Sequence, residues 1–326
     1  MHGKILALAM AFRRHLPDVG RPLVEAGCEV VESPEMRALQ AAELAPLVGD
    51  VDAIIAGNDQ VDAAVLTAAP RLRIVSRWGI GVDAVDLEAA TAHGVVVTNT
   101  PGLTANAVAD FSFCLMLALA RRLPVCTDVV CRGQWEEVQG VDVWGRTLGL
   151  IGFGFAGQAM ARRARGFGMR TLAYDPRRDE AAAYATRTVF VSLPQLLSQS
   201  DFVSIHCGLS DETRGLLSTE QFRMMKRSAY LINTARGPVV DEVALAVALR
   251  EEEIAGAALD VHQTEPIPPE HPLRNLPNVI LTPHNAFNSV ETVAAINRAV
   301  AENCLTVLRG ERPASVVNPE VYERQP

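Results

Sequence analysis

The feature that most constrains this chain is a set of glycines placed directly after an apolar segment. Leu148–Ile151 has the length and composition of a buried strand, and Gly152, Gly154 and Gly157 follow it with the spacing G-x-G-x-x-G. A helical stretch, Gln158–Phe167, comes next. Glycines also serve ordinary tight turns, but a strand before them and a helix after them predict a turn that binds the diphosphate of a dinucleotide. The N–H groups at the helix start would then face the anion.

An acidic residue ends the next predicted strand, Thr171–Tyr174. Asp175 follows the third glycine by 18 residues, close to the roughly 20 at which dinucleotide-binding folds place a ribose-binding carboxylate. Such a carboxylate accepts hydrogen bonds from the ribose of NAD and disfavours NADP. Alternatively, Asp175 only begins a turn with Pro176. Because Arg177 and Arg178 come next and could pair with a 2′-phosphate, the sequence favours NAD and leaves NADP as the less favoured cofactor.

Short apolar runs alternate with helical stretches along most of the chain, which is the pattern of β-α-β repeats in an open α/β sheet. At roughly 150 residues per domain, the length of 326 residues predicts about two domains. The runs predicted to be strands are Ile5–Met10, Glu29–Glu32, Ala53–Ala56, Leu72–Ser76, Val95–Thr98, Leu148–Ile151, Thr171–Tyr174, Phe202–Ile205, Ala229–Ile232, Ala257–Leu259 and Val279–Leu281.

Other segments have a clear helical or irregular pattern. A long apolar helix is predicted over 104–122 and ended by Pro124. The more polar segment Val125–Arg146 is interpreted as a connecting arm. A final helix is predicted over Val290–Leu308, followed by a polar tail, Asn318–Pro326, that is expected to fray.

The composition is that of an ordinary globular protein, with 49% hydrophobic and 21% charged residues. A formal net charge of −8 without a basic stripe speaks against nucleic-acid binding. Six scattered cysteines without metal-type spacing predict reduced thiols, no metal site and a cytoplasmic protein.

The run Ile5–Phe12 resembles a short signal peptide, but Arg13 and Arg14 stand where cleavage would occur, so a strand is favoured. The run Phe113–Ala120 is too short to span a bilayer, so no membrane partner is expected.

Polar residues also follow the later predicted strands. Because the carboxyl ends of parallel strands meet at one edge, where open α/β sheets bind their ligands, these residues are expected to converge beside the dinucleotide. The residues concerned are His206, Asn233–Gly237, Asp260 with Glu265, and Thr282–His284.

Arg236, Glu265 and His284 supply a cation, a carboxylate and a titratable imidazole. Hydride transfer between nicotinamide and a 2-oxo acid needs these parts: the arginine binds the substrate carboxylate through a forked pair of hydrogen bonds. The imidazolium protonates the oxygen as hydride reaches carbon, and the carboxylate orients the ring. Taken singly, each residue has an ordinary alternative as a surface ion pair, a solvated loop acid or a turn histidine. Their joint position at the cofactor edge carries the prediction.

The ordered motifs together resemble the D-isomer-specific 2-hydroxyacid dehydrogenases, the family of D-3-phosphoglycerate dehydrogenase, over nearly the whole chain. The resemblance implies two Rossmann-like or flavodoxin-like domains with doubly wound parallel sheets. An NAD-binding domain, 102–287, is then inserted into a substrate-binding domain formed by 1–101 and 288–326. The motifs that carry the resemblance are Gly79-Ile-Gly-Val-Asp83, Asn99-Thr-Pro-Gly102, Gly152–Gly157, Asn233-Thr-Ala-Arg-Gly237, Asp241-Glu242, Ala258-Leu-Asp-Val261 with Glu265-Pro266, and Thr282-Pro-His284.

The resemblance implies an NAD-dependent oxidoreductase acting on a small D-2-hydroxy acid or 2-oxo acid. Its catalytic set would be Arg236, Glu265 and His284, with His284 as proton donor. A homodimer is implied through the helix 104–122 and the arm after it, although the same apolar residues could form intramolecular core. The residues implied to bind the cofactor are Gly152, Gly154, Phe155, Ala156, Gly157, Asp175, His206, Thr234, Ala235, Arg236, Asp260 and His284. The residues implied to bind the substrate are Arg77, Trp78, Gly79, Ile80, Gly81, Arg236 and Phe287.

Some positions depart from the usual family pattern. His206-Cys-Gly-Leu209 stands where the family often has H-x-P-L, and Ala156 replaces the usual isoleucine. With Phe287 three positions after His284, the first of these departures resembles the C-terminal-binding-protein branch, which includes NAD-sensing corepressors. An NADH-sensing dimeric binding module with little turnover is therefore the alternative function. The phosphite or formate branch of the family is a third, which an intact carboxylate-binding loop disfavours.

Overall fold

The structure is a computed structural model that describes residues 3–323. It divides into two compact units: unit 1 comprises Met1–Thr104 and Ser289–Pro326, and unit 2 comprises Ala105–Asn288. Each unit is built on its own parallel sheet, which confirms the predicted α/β architecture. Within residues 3–323, no helix combines the length and the apolarity that crossing a membrane requires.

The sheet of unit 1 has five parallel strands: β1 Lys4–Ala7, β2 Glu29–Glu32, β3 Ala53–Ala56, β4 Ile74–Arg77 and β5 Val96–Thr98. Their order is β2-β1-β3-β4-β5, so the direction of strand addition reverses between β1 and β3. This is the flavodoxin-like order, in which ligands bind beyond the carboxyl ends near the reversal. The inner strands β3 and β4 are buried along their whole length, as expected for parallel strands covered on both faces.

The helices of unit 1 that precede Thr104 are short. They are α1 Met10–Arg13, α2 Leu16–Val19, α3 Arg21–Glu25, α4 Ala41–Leu44, α5 Ala63–Ala68 and α6 Leu87–Ala92, with a 3₁₀ turn at Ala45–Leu47. Aspartates fix where α5 and α6 begin. The Asp62 carboxylate accepts hydrogen bonds from the N–H groups of Ala64 and Val65, both at 3.0 Å. Asp86 accepts one from the N–H of Ala89 at 2.9 Å, so each helix start has a side-chain cap.

The sheet of unit 2 has seven parallel strands. They are β6 Thr147–Ile151, β7 Arg170–Tyr174, β8 Thr188–Phe190, β9 Phe202–Ile205, β10 Tyr230–Asn233, β11 Gly256–Leu259 and β12 Val279–Leu281. Their order, β12-β11-β10-β9-β6-β7-β8, reverses between β6 and β9. This is the dinucleotide-binding order extended by one strand, and it places the ligand crevice beyond the carboxyl ends of β6 and β9.

The helices of unit 2 are α7 Ala105–Ala120, α8 Leu123–Cys131, α9 Phe155–Gly166, α10 Glu180–Thr186, α11 Leu193–Gln199, α12 Thr219–Met224 and α13 Glu242–Arg250, with 3₁₀ turns at Gly237–Val239 and Pro272–Asn275. Helix α7 is apolar on most sides because it packs against both α9 and the sheet. Its Phe113 ring lies 4.8 Å from the ring of Phe167 at the end of α9. Phe153, Phe202 and Ile232 belong to the same buried cluster, which continues from α7 into the sheet.

The last long helix, α14, spans Val290–Leu308 as the sequence predicts and belongs to unit 1. Ser289 caps it, and it packs against β3 and β4. Ser76 donates a hydrogen bond to the carbonyl oxygen of Val300 at 3.1 Å, and the Trp78 indole donates one to Asn297 at 2.6 Å. The last helix therefore completes the unit that the first hundred residues begin.

The predicted strands differ from the observed ones mainly at their ends. The prediction Ile5–Met10 is wrong beyond Ala7, because Leu8 and Ala9 both donate to the carbonyl oxygen of Ile55 and the chain then turns into α1. Strand β8 was not predicted at all. It has three residues, lies at the edge of its sheet and leaves Val189 half-exposed, so it lacks the apolar run of an inner strand. The other strands begin or end within a residue or two of the prediction.

The interpretation of Val125–Arg146 as a connecting arm is wrong in its first part, where α8 forms. Arg122 adopts a left-handed conformation with φ of 49° and separates α7 from α8. Pro124 lies in the first turn of α8, where its missing N–H costs nothing because that group has no intrahelical partner. The proline therefore begins a second helix rather than simply ending the first.

The expected fraying of Asn318–Pro326 is wrong for residues 318–323, and 324–326 lie outside the described residues. Asn318 is buried and its side chain accepts from the N–H of Val97 at 2.8 Å and donates to the carbonyl oxygen of Val95 at 2.9 Å. Val321 is also buried, within a 3₁₀ turn. The tail thus supplies hydrogen-bond partners along the open edge of β5, which polarity alone did not reveal.

Candidate active site

The glycine turn after β6 is shaped by close backbone contacts on one side and is open on the other. A Cβ on Gly152, whose φ is +94°, would lie 2.5 Å from the nitrogen of Cys207, and one on Gly157 would lie 2.3 Å from the oxygen of Gly152. A Cβ on Gly154 would meet nothing within 4 Å. Two glycines are therefore needed to build the turn, while the third leaves its outer face clear for a ligand. Phe155 and Ala156 begin α9 directly beyond it.

Asp175 is attached to this turn. One carboxylate oxygen accepts a hydrogen bond from the N–H of Phe153 at 2.7 Å, and the other accepts one from the N–H of Arg177 at 2.8 Å. The guanidinium of Arg178 lies 5.7 Å above the ring of Phe190. The free N–H groups at the start of α9, the open face at Gly154 and this carboxylate fit the diphosphate and ribose of a dinucleotide.

The strand next to β6 ends in two groups that stay neutral. Burial lowers the pKa of His206 to about 4, and Nε2 of its ring lies 2.9 Å from the hydroxyl of Ser204. Burial also raises the pKa of Cys207 to about 11, and the charge of Asp175 adds to that effect. An uncharged imidazole and an uncharged thiol therefore line the back of the glycine turn.

The loop after β10 is held by its own asparagine. Asn233 donates to the carbonyl oxygen of Arg236 at 2.9 Å and accepts from the N–H of Ala235 at 3.0 Å. The hydroxyl of Thr234 lies 2.7 Å from that of Ser112 on α7, and Arg236 donates from Nη1 to the carbonyl oxygen of Ala235 at 2.7 Å. Sequence reasoning missed Asn233 and Ser112 as residues that shape the loop. The asparagine at a strand end was the available signal for the first.

Glu265 and His284 form a direct pair. Nδ1 of His284 lies 2.8 Å from Oε2 of Glu265, and about a third of each side chain is exposed. Burial raises the pKa of Glu265, but the hydrogen bond and charge of His284, with the N–H of His262, outweigh it and leave that pKa below its ordinary value. The ring of Phe287 lies 6.1 Å from the imidazole, edge to face. The structure therefore brings these three sequence-predicted residues together.

Asp260 fixes the segment that carries His284. It is fully buried, and its carboxylate accepts hydrogen bonds from the Thr282 hydroxyl at 2.6 Å and from the N–H groups of Asn285 and Ala286 at 2.9 and 2.8 Å. Its carbonyl oxygen accepts from the N–H of His284 at 2.7 Å. The backbone of His284 has a φ of 52°, a left-handed conformation that residues other than glycine rarely adopt. The hydrogen bonds of Asp260 hold it there. A cofactor contact of Asp260 stays a prediction.

The predicted substrate residues 77–81 lie in unit 1, at the end of β4. Arg77 is buried, and its guanidinium donates to Asn58 at 2.6 Å and to the carbonyl oxygen of Trp78.

The backbone of the same loop is held by residues 99 and 100. Gly79 has a φ of +125°, and its carbonyl oxygen accepts from the N–H of Thr100 at 2.9 Å. Asn99 donates to the carbonyl oxygen of Ile80 at the same distance. The loop is therefore anchored at several points, and Asn58, which the sequence did not single out, is one of them.

Comparisons with known proteins agree with this geometry. Residues 113–286 match the family described as D-isomer specific 2-hydroxyacid dehydrogenase, NAD binding domain. A glyoxylate reductase of Korarchaeum cryptofilum is 47% identical over 286 residues, which is 86% of this chain and 86% of that protein.

Solved structures give the same result. The crystal structure of a Thermus thermophilus protein matches with a TM-score of 0.86 and 38% identity, covering 96% of this chain and 99% of that one. An NADPH-dependent glyoxylate/hydroxypyruvate reductase of Sinorhizobium meliloti, solved with NADP and malonate, matches with a TM-score of 0.85 and 30% identity, covering 97% and 98%. The chain is therefore an oxidoreductase that belongs to the D-isomer-specific 2-hydroxyacid dehydrogenase family.

Proposed function

We propose that this chain reduces a small 2-oxo acid, with glyoxylate as the first candidate, to the hydroxy acid at the expense of NADH. The observation that carries the proposal is the pair of His284 and Glu265, 2.8 Å apart at the sheet edge that also holds the glycine turn. The glyoxylate reductases among its relatives support the choice of a small substrate.

The proposed chemistry assigns one task to each group. A dinucleotide held at the glycine turn and by Asp175 would supply the hydride that reduces C2 of the 2-oxo acid. Because Nδ1 of His284 is bound to Glu265, Nε2 carries the proton that goes to the carbonyl oxygen. Glu265 stabilises the imidazolium before that transfer, and its lowered pKa keeps it ionised for this task. Arg236 would exchange its bond to Ala235 for a forked pair of bonds to the substrate carboxylate.

We assign cofactor binding to unit 2 and substrate binding chiefly to the loop 77–81 of unit 1. Backbone N–H groups in a turn bent by a glycine of positive φ form a small concave site for an anion, which suits a carboxylate. Arg77 would support the loop from behind and add positive charge. Trp78 and Ile80 are proposed to supply apolar contacts to the substrate from this loop.

We further propose that NAD(H) is preferred over NADP(H). Asp175 supports this preference because its carboxylate is held at the end of β7 by two backbone N–H groups, where a 2′-phosphate would meet its charge. Arg178, which could pair with such a phosphate, has the ring of Phe190 as a partner.

The test is NADH oxidation by the purified protein against a panel of glyoxylate, hydroxypyruvate, a phosphorylated 2-oxo acid and a branched 2-oxo acid, with NADPH in parallel. We expect turnover on a small member of the panel, faster with NADH, and a preference reversed or lost in Asp175→Asn. Confirmed NADH binding without turnover on any substrate would favour the NADH-sensing module instead. Equal rates with NADPH would contradict the role given to Asp175.

We also propose a homodimer formed through α7, α8 and the segment that follows. This surface leaves large apolar side chains in water: Trp135 is 92% exposed, Trp144 is 71% exposed, and Leu123 and Val130 are more than half exposed. Beside them lies a groove of about 670 Å³ lined by Phe113, Leu117 and Phe167. Apolar surface concentrated in this way is typical of an interface, and a second copy of the chain is the proposed occupant.

The oligomeric state of matched variants tests this surface. Trp135→Glu is expected to lower the mass measured by light scattering from that of a dimer to that of a monomer. Tyr184→Glu is the matched control, because Tyr184 is equally exposed but lies on α10, outside the surface. A dimer that survives Trp135→Glu and Val130→Glu together would refute the assignment. The cytoplasmic location expected from the sequence stays a prediction.

A further inference from the structure

His262 is a buried residue of unit 2 that the proposed reaction does not use directly. It lies just beyond β11, with 6% of its surface exposed. Its backbone N–H donates to Oε1 of Glu265 at 3.1 Å, and Nε2 of its ring lies 3.1 Å from the carbonyl oxygen of Thr282. The same residue therefore contacts the side chain of Glu265 and the segment that carries His284.

The partners of His262 determine where its ring proton lies. A carbonyl oxygen can only accept, so Nε2 of His262 carries the ring proton and donates the hydrogen bond to the Thr282 carbonyl oxygen. Nδ1 then points inward, has no hydrogen-bond partner among the described residues and lies 3.9 Å from Oε1 of Glu242. The ring is thus oriented by its one direct hydrogen bond, to the segment that carries His284.

Glu242 holds the other side of this arrangement. It is 2% exposed and accepts a hydrogen bond from the N–H of Gln263 at 2.9 Å. Nε2 of His271 lies 3.0 Å from its second oxygen, while Nδ1 of His271 accepts from the N–H of Leu273. Glu242 therefore fixes the backbone immediately after His262 and has a second histidine as partner.

The loop of Arg236 rests on the same backbone. A Cβ added to Gly237 would lie 2.0 Å from the carbonyl carbon of His262 and 2.5 Å from the nitrogen of Gln263. The side chain of Gln263 also donates to the carbonyl oxygen of Val240 at 3.0 Å. The segments that carry Arg236, Glu265 and His284 consequently meet at residues 262 and 263.

We propose that His262 is a positioning residue for the Glu265–His284 pair, acting through its hydrogen bond to the Thr282 carbonyl oxygen. The proposal rests on the proposed function for its kinetic consequence, but its structural content concerns this chain alone. A buried aromatic ring of the same size would fill the space equally well. What distinguishes histidine is the donor that ties the segment of His284 to the segment of Glu265.

Two kinds of variant distinguish the effect of the hydrogen bond donated by His262 from the effect of its packing. His262→Phe keeps the ring and removes the donor, and we expect kcat to fall roughly 10- to 100-fold with KM and the Kd for NADH unchanged, because displacement of a proton donor weakens the transition state more than binding. His262→Gln offers an amide N–H at a similar reach and is expected to recover most of the loss. His262→Met is the second apolar variant if His262→Phe does not fold.

A matched control tests whether the buried cluster as a whole is responsible. His271→Phe removes the other histidine from Glu242 without touching Thr282 or Glu265, and its kcat is expected to stay near that of the unmodified chain. A loss in His271→Phe as large as that in His262→Phe would overturn the proposal. So would full activity in both apolar variants at position 262.

A readout that needs no turnover keeps this inference apart from the proposed function. The pKa of Glu265, followed by carboxyl ¹³C NMR in the full chain, should rise toward its ordinary value in His262→Phe and not in His262→Gln, since the contact with His284 holds it low. An unchanged titration would refute the role of His262 even if the enzyme is active. If the unmodified chain reduces no 2-oxo acid, the proposed function fails, but the titration of Glu265 still shows whether His262 positions the Glu265–His284 pair.

Discussion

The two parallel sheets offer ligands the same kind of edge but equip it differently. In unit 2, charged or titratable residues follow the strands, with Asp175 after β7, Arg236 after β10 and His284 after β12. In unit 1, the corresponding cation, Arg77, is buried and bonded to Asn58 and to its own loop, and the proposal gives substrate binding to backbone N–H groups of that loop. Under the proposed function, one type of topology would support chemistry in unit 2 and substrate recognition in unit 1.

The glycines Gly152 in unit 2 and Gly79 in unit 1 also differ, in the kind of neighbour that an added Cβ would meet. Gly152 backs onto the main chain of Cys207, which cannot move without moving β9. Gly79 backs onto the end of the Arg77 side chain, where an added Cβ would lie 3.1 Å from Nη1. The first turn is therefore confined by main chain, whereas the second is held largely through the side chains of Arg77 and Asn99. Changes in unit 2 should therefore act mainly on kcat and changes in unit 1 mainly on KM.

The largest effect is expected from His284→Gln. Loss of the proton donor should lower kcat for 2-oxo acid reduction by roughly 10²- to 10⁴-fold, the usual contribution of a positioned general acid. NADH binding, measured by fluorescence titration, should stay near normal because the glycine turn is untouched. His93→Gln, at an exposed position in unit 1, is the control. Turnover that survives in His284→Gln would remove this residue as the acid.

An intermediate effect is expected from Glu265→Gln, with a characteristic pH dependence. Because the pKa of Glu265 lies below its ordinary value, the unmodified enzyme should keep its activity as the pH falls through the ordinary glutamate range and lose it only below that range. The variant should lose roughly 10- to 100-fold in kcat, as for other partners that orient a histidine. It should also lack this low-pH transition in a kcat–pH profile. A transition that persists in Glu265→Gln would belong to another group.

The smallest effect is expected in unit 1, from Asn58→Ala. Removing one acceptor of Arg77 loosens the loop 77–81, and KM for the 2-oxo acid should rise by about tenfold or less, because Arg77 keeps its bond to Trp78 and the full value of a charge-assisted hydrogen bond is not lost. Asn58→Asp, which keeps an acceptor, is the matched control. Steady-state kinetics with both variants measures the difference. A fall in kcat with unchanged KM would break the division of tasks between the two units.

The sequence predicted most of the fold because inner parallel strands are apolar throughout and stand out as short runs between turns. It missed β8 and α8 for a common reason, since neither is buried enough to show a period of its own. It also predicted residues of the site from their place at strand ends. It missed the contacts of Asn58 and His262, which act on other loops, because a hydrogen bond between distant segments leaves no local pattern.

By itself, the sequence determined the architecture, the glycine turn and the residue types at the sheet edges, because these depend on local composition and on strand order. Only the tertiary structure decided which of those residues touch. It set Glu265 against His284, buried Arg77 against Asn58, and turned the polar tail at Asn318 into a partner for β5. Such contacts join residues far apart in the chain, and their geometry is fixed by the packing of whole elements rather than by any neighbouring residue.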